Sequence, residues 1–165
     1  MRLLLVGGGE RGLRLCRTLA ADGHAVRVVT RDPDRHDAIR AAGGEPWDGD
    51  PDRIGTLRYA LDNVTIVLWA LGNATGPEVA VRALHSTRLE MLLERTIDTT
   101  VRGVLYECTG TLPVELLSQG ARIVERLCRH NEIPWGLLYH EPTDPDGWAA
   151  SAHGAIAHIL SRERG

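Results

Sequence analysis

The sequence predicts an α/β fold built on a doubly wound parallel sheet of the Rossmann type. Six short apolar runs alternate with longer amphipathic stretches along 165 residues, three consecutive glycines follow the first run, and Asp-Pro pairs and glycines punctuate the junctions as helix starts and stops do. A strand, a helix and a parallel strand make a right-handed crossover, so repeating the unit lays one sheet with helices on both faces. Two halves of such units imply the spatial strand order 3-2-1-4-5-6.

Residues 2–6, RLLLV, read as the first strand. Residues 10–23 read as a helix with Leu13, Cys16 and Leu19 or Ala20 on one face, stopped by Gly23. AVRVVT (25–30) is the second strand; Asp32 caps the next helix, Pro33 fits its first position and Gly43 ends it. A brief extended piece near 45–47 is the third strand, and Asp50 with Pro51 repeats the capping device at the head of a helix over DPDRIGTLRYAL. VTIVLWAL (64–71), continuously apolar, reads as a strand buried on both faces. NATGPEVAV is a loop or a short helix, and Ser86 caps a helix to about Ile97 whose Leu89, Leu92 and Leu93 face inward. RGVLYEC (102–108) is the fifth strand, 113–130 a helix, PWGLLY (134–139) the sixth strand, and 147–162 the closing helix after the turn-rich HEPTDPDG.

The length suits a single dinucleotide-sized domain over 1–165 with no separate substrate domain. No apolar run reaches the roughly 18–20 residues of a membrane span, and 2–6 is too short for a signal peptide, so a cytoplasmic protein is expected. Cys16, Cys108 and Cys128 are widely spaced with no C-x-x-C pair, which suggests reduced core or helix-face thiols and neither a disulfide framework nor a zinc site. A net charge of −3 argues against nucleic acid as the partner. All 19 basic residues are arginine. Without lysine there is no Schiff-base amine and no Walker A loop.

Gly7, Gly9 and Gly12 form G-x-G-x-x-G at a strand-to-helix turn, the context a dinucleotide fingerprint requires. Gly7 permits the tight turn, Gly9 lets the main chain approach a pyrophosphate, and Gly12 allows helix and strand to pack closely. The helix start adds unpaired N–H groups and roughly half a positive charge. The contact set expected here is Gly7, Gly8, Gly9, Glu10, Arg11 and Gly12. At the end of the second strand, where an NAD site places a carboxylate, stand Thr30 and Arg31. A hydroxyl and a guanidinium suit a 2′-phosphate, so NADP is preferred over NAD, with Arg11 adding to the same anion site. Two readings compete with this one: Arg31 as a plain surface charge, and Asp32 taking the acidic role one residue late.

DGHAVRVVTRDPDR, GGEPWDGDPDRIGTLRYALDNVTIVLWALG and RIVERLCRHNEIPWGLLYHEP together resemble the atypical and extended short-chain dehydrogenase/reductase group, which includes epimerase-like and NmrA-like NAD(P)-binding proteins. The resemblance spans nearly the whole chain. It implies that Asp50 contacts the adenine amino group and that Ala70, Leu71 and Gly72 line the nicotinamide-ribose side. Two departures stand out. Val6 occupies the first position of the group's longer glycine loop, and its Tyr-x-x-x-Lys pair falls on Leu117 and Ala121. Tyr59, Tyr106 and Tyr139 are followed four residues on by Asn63, Gly110 and Thr143, so tyrosine-lysine catalysis is closed to this chain.

Asn73, Thr75, Cys108, Thr109, Thr111, His140 and Glu141 fall at the carboxyl ends of strands four to six, the usual ligand edge of such a sheet. His140 is the candidate proton carrier, because imidazole titrates near neutrality; the alternative is a polar loop residue. Thr109 sits near the group's serine position, to hydrogen-bond a substrate or the nicotinamide, or else to make a turn. His153 and His158 are five apart, a poor spacing for shared metal ligation, so no metal is expected. Two function classes follow: a small NADPH-dependent reductase acting on a small-molecule substrate, and a noncatalytic NADP(H)-sensing module. With no substrate lobe the crevice is open, and a homodimer or a partner protein is expected to cover it.

Overall fold

Alternation along the strands divides the core into two layers. The computed structural model describes residues 1–163. The expected domain over 1–165 therefore runs two positions past the described residues. Its strands are β1 (Arg2–Gly7), β2 (Ala25–Thr30), β3 (Glu45–Asp48), β4 (Ile66–Ala70), β5 (Gly103–Glu107) and β6 (Trp135–Leu138). They form one sheet in the order β3-β2-β1-β4-β5-β6, as expected, with parallel pairs registered through Leu5 opposite Val28 and Leu68, and Leu68 opposite Leu105.

Because strand side chains point alternately to opposite faces, Leu3 and Leu5 join one core and Leu4 and Val6 the other. The helices are α1 (Gly9–Ala21), α2 (His36–Ala41), α3 (Glu78–Leu84), α4 (Thr87–Thr96), α5 (Val114–His130) and α6 (Pro145–Glu163). Leu15 and Cys16 of α1, Ile39 of α2 and Trp148, Ala152 and Ile156 of α6 cover the Leu3 face. Leu89, Leu92 and Leu93 of α4 and Val124 and Cys128 of α5 cover the Leu4 face. No helix among the described residues is long and apolar enough to cross a membrane.

Most helix signals act as expected. Asp32 accepts from the Asp34 amide at 2.9 Å, Pro33 follows, and Gly43, at φ +84°, closes α2 while the Gly44 amide returns to Ile39. The first turn after Asp32 is 3-10 (Pro33–Arg35) before α2 begins. Two expectations are corrected. The stretch after Asp50 is not a helix but two 3-10 turns, Ile54–Leu57 and Tyr59–Leu61, and Asp50 accepts from the Asp52 amide in a local turn. Ser86 does not cap α4 with its side chain; its hydroxyl donates back to the Arg82 carbonyl at 2.8 Å.

On the Leu4 face, α5 packs against the fully buried Tyr106 through Gly120, where a Cβ would overlap the phenolic hydroxyl. That hydroxyl is held by His85 at 2.6 Å and cannot swing aside. Gly120→Ala is therefore expected to destabilise the fold by about 2 kcal/mol, read as a lower urea midpoint at unchanged slope.

Candidate functional site

The turn after β1 is made from three residues that favour glycine: Gly7, Gly8 and Gly9 all have positive φ, at +83°, +94° and +52°. The Gly8 amide donates to the Ala70 carbonyl at 2.9 Å, and the Gly12 amide to the Gly8 carbonyl at 3.0 Å. Among the described residues the Gly9, Glu10 and Arg11 amides find no backbone acceptor, which leaves the positive end of α1 uncovered. A Cβ at Gly7 would overlap the Ala70 carbonyl, so β1 and β4 can approach only at glycine. At Gly9 a Cβ would meet only Arg11 Nη1, at 3.9 Å, and would otherwise project into open space. Gly12 lies beneath the loop, where a Cβ would meet Leu5 at 3.0 Å.

That open space is a cavity of about 610 Å³ at the carboxyl ends of β1, β2 and β4. One wall is Gly7, Gly8, Gly9 and Arg11; another is Thr30, Arg31, Asp32 and Arg35; Asp50 and Asp52 close the rim, and Ala70 and Leu71 lead toward the far end. There Asn73, Thr75, Pro77, Val81 and Leu84 continue the wall with no titratable side chain. The structure thus brings together most of the residues singled out in the sequence. Glu10 stays exposed beside Arg14 and Arg17, at 3.8 and 3.9 Å. Gly72 turns its amide away, to Glu107.

His140 and Thr109 do not border the cavity. His140 Nε2 lies 2.9 Å from Asp144 Oδ2, while Asp144 Oδ1 accepts from the Gly147 amide in the first turn of α6. The imidazole and that amide hold the Asp144 carboxyl below its ordinary range. Thr109 donates to Glu141 at 3.3 Å. At the end of β2, Thr30 is nearly buried and its hydroxyl both accepts from and donates to the Asp32 backbone. Arg31 is two-thirds exposed, with Nη1 4.0 Å from Asp50. Arg35, on the same wall, is a second guanidinium that sequence reasoning passed over, although Asp32-Pro33 already placed a turn that folds it back beside Arg31.

The other missed residue is Glu107, at the end of β5 and fully buried. Its carboxylate accepts from Arg11 Nε at 2.9 Å, Arg11 Nη2 at 2.7 Å, the Gly72 amide at 2.8 Å and Trp148 Nε1 at 2.8 Å. Arg11 also donates to the Gly8 carbonyl at 3.0 Å and the Ala70 carbonyl at 3.4 Å. The expectation that Arg11 joins an anion site with Arg31 needs correction, because its charge is matched within the fold. An acid closing the otherwise apolar strand GVLYE was the available signal, since a buried carboxylate requires a partner.

On the other face, His85 joins the Leu71 wall to Tyr106. Its Nε2 must donate to the Leu71 carbonyl at 2.9 Å, so Nδ1 accepts from the Tyr106 hydroxyl at 2.6 Å. Burial holds His85 below its ordinary 6.5, against the Leu71 carbonyl and Glu107, which pull it up. As pH falls, the unfolded chain takes up this proton first. Stability is therefore full above about 6.5 and declines as pH falls below it toward the folded value. Melting temperature should drop from pH 7.5 to 5.5 in the wild type, and by less in His85→Gln.

A family model described as NAD(P)H-binding matches residues 7–135. No curated protein matches the chain in sequence. Among solved structures, the UDP-glucuronic acid 4-epimerase from Bacillus cereus in complex with NAD superposes with a TM-score of 0.69 at 15% identity, over 86% of this chain and 56% of that one. The triphenylmethane reductase of a Citrobacter species complexed with NADP(H) gives 0.63 at 17%, over 85% and 49%. An NADPH-dependent quinone oxidoreductase from Escherichia coli gives 0.59 at 18%, over 84% and 46%. The chain thus spans about half the length of these structures.

Proposed function

The chain belongs to the NAD(P)H-binding family, and on that premise we propose that its glycine loop holds the diphosphate of NADP(H) in a single dinucleotide-binding domain working in the cytoplasm. The observation that carries this reading is Gly9, whose missing side chain and free neighbouring amides open directly onto the cavity. Arg31 and Arg35 favour the 2′-phosphate at the adenosine end, and Asp50 lies within reach of the adenine. When bound, the nicotinamide supplies hydride chemistry beyond Ala70 and Leu71.

The wall there carries no titratable group, and the chain has no tyrosine-lysine pair. A small acceptor that takes its proton from solvent, such as a flavin or a quinone, suits such a wall. His140 and Thr109 would enter the chemistry only if the substrate reached past the cavity toward β5 and β6. The same bare wall favours a second reading, a noncatalytic NADP(H)-sensing module.

Incubation with NADPH and a panel of flavins, quinones and aldehydes separates the two. Loss of nicotinamide absorbance supports the reductase; tight binding without turnover supports the sensor. Arg31→Ala and Arg35→Ala are each expected to weaken NADPH by about tenfold, or ~1.4 kcal/mol, with NADH nearly unchanged in calorimetry. Equal losses for both cofactors would contradict the 2′-phosphate assignment. A second copy or a partner protein is proposed to cover the crevice, and light scattering that shows monomer alone, with and without NADPH, counts against the homodimer.

A further inference from the structure

Two loops must keep their shape to receive a diphosphate, the glycine turn after β1 and the turn after β4, and a single buried carboxylate on β5 reaches both. Glu107 bonds the Gly72 amide directly and, through Arg11, the carbonyls of Gly8 and Ala70. We infer that Glu107 is a positioning residue for the dinucleotide site: it anchors Arg11 so that the guanidinium clamps the glycine loop in its open form before the cofactor arrives.

This inference rests on the NADP(H) reading above. Three consecutive residues at positive φ are costly to order, because glycine loses more conformational freedom on folding than any other residue. A loop left to order itself on binding would subtract that cost from affinity. Arg11 removes it beforehand. Its planar fork lies in bidentate contact with Glu107, which fixes the guanidinium plane, and the remaining N–H groups then meet Gly8 and Ala70. Trp148 of α6 completes the anchor, donating to Glu107 while its ring lies 5.2 Å from the guanidinium carbon.

A purely structural ion pair would predict something different. Removing both charges leaves the net charge beside the diphosphate unchanged, and buried pairs tolerate joint neutral replacement far better than loss of one partner. Arg11→Met combined with Glu107→Gln should therefore stay folded, by circular dichroism and cooperative melting, yet bind NADPH about tenfold or more weakly with an unaltered salt dependence. A folded double variant that binds within about twofold of wild type overturns the positioning role.

Hydrogen exchange on the wild type tests the same point without a variant. The Gly8 and Gly12 amides should already be protected without cofactor, and NADPH should add little; protection that appears only with NADPH overturns the inference. A wild type that binds no dinucleotide at all sinks the cofactor reading itself, a result distinct from either of these.

Discussion

Glu107→Ala is expected to lower the unfolding free energy by about 3–5 kcal/mol. The substitution strands three groups at once. Arg11, whose side chain is only 10% exposed, keeps a guanidinium with no counter-charge, and the Gly72 amide and the Trp148 indole lose their acceptor. Unpaired donors in a dry interior cost their full desolvation, whereas the intact pair returns only a modest net gain. Against a native stability of about 5–15 kcal/mol, such a loss brings the protein close to unfolding at physiological temperature. A urea titration should show the midpoint falling with little change of slope. An unchanged midpoint would mean that water or rearrangement satisfies Arg11, and the clamp described above would lose its basis.

The sheet was legible in the sequence because apolar runs, capping residues and glycine stops agree on every strand. Where they conflict, the packing decides. Asp50-Pro51 looks like Asp32-Pro33, yet Ile54, Leu57 and Ala60 recur every third residue and all three are buried. That spacing fits one face of an α-helix as well as a 3-10 turn, so spacing alone does not separate the two; the Thr56 hydroxyl, which accepts from the Asp50 amide and donates to the Asp50 and Arg53 carbonyls, ties the chain into local turns instead. Ser86 resembles a cap, but α3 ends just before it and presents the Arg82 carbonyl within reach.

The site divides in the same way. The glycine loop and the Thr30–Arg31 edge are local patterns and can be read one element at a time. Glu107 and Arg11 are 96 positions apart and meet only because β5 lies next to β4, whose end adjoins the glycine turn that starts α1. His140 and Thr109 follow the ends of β6 and β5, but the opening lies on the β1, β2 and β4 side of the sheet.

Gly9→Ala should reduce NADPH affinity by about a hundredfold, or ~2.7 kcal/mol, while costing the fold only about 1–2 kcal/mol. The two effects separate because of where the new methyl group would lie. Apart from its chain neighbours and the backbone of α1 itself, only Arg11 Nη1 comes within 4 Å of it, at 3.9 Å, so the folding cost is that of holding alanine at φ +52°. The methyl would occupy the space proposed for the diphosphate, beside the free amides at the start of α1. Gly7→Ala provides the contrast: its Cβ would overlap the Ala70 carbonyl, so fold and binding should fail together. Calorimetry beside thermal melting distinguishes the pair. If Gly9→Ala binds NADPH within about threefold of wild type, the phosphates do not rest against this loop, and the cavity holds something other than a dinucleotide in the expected orientation.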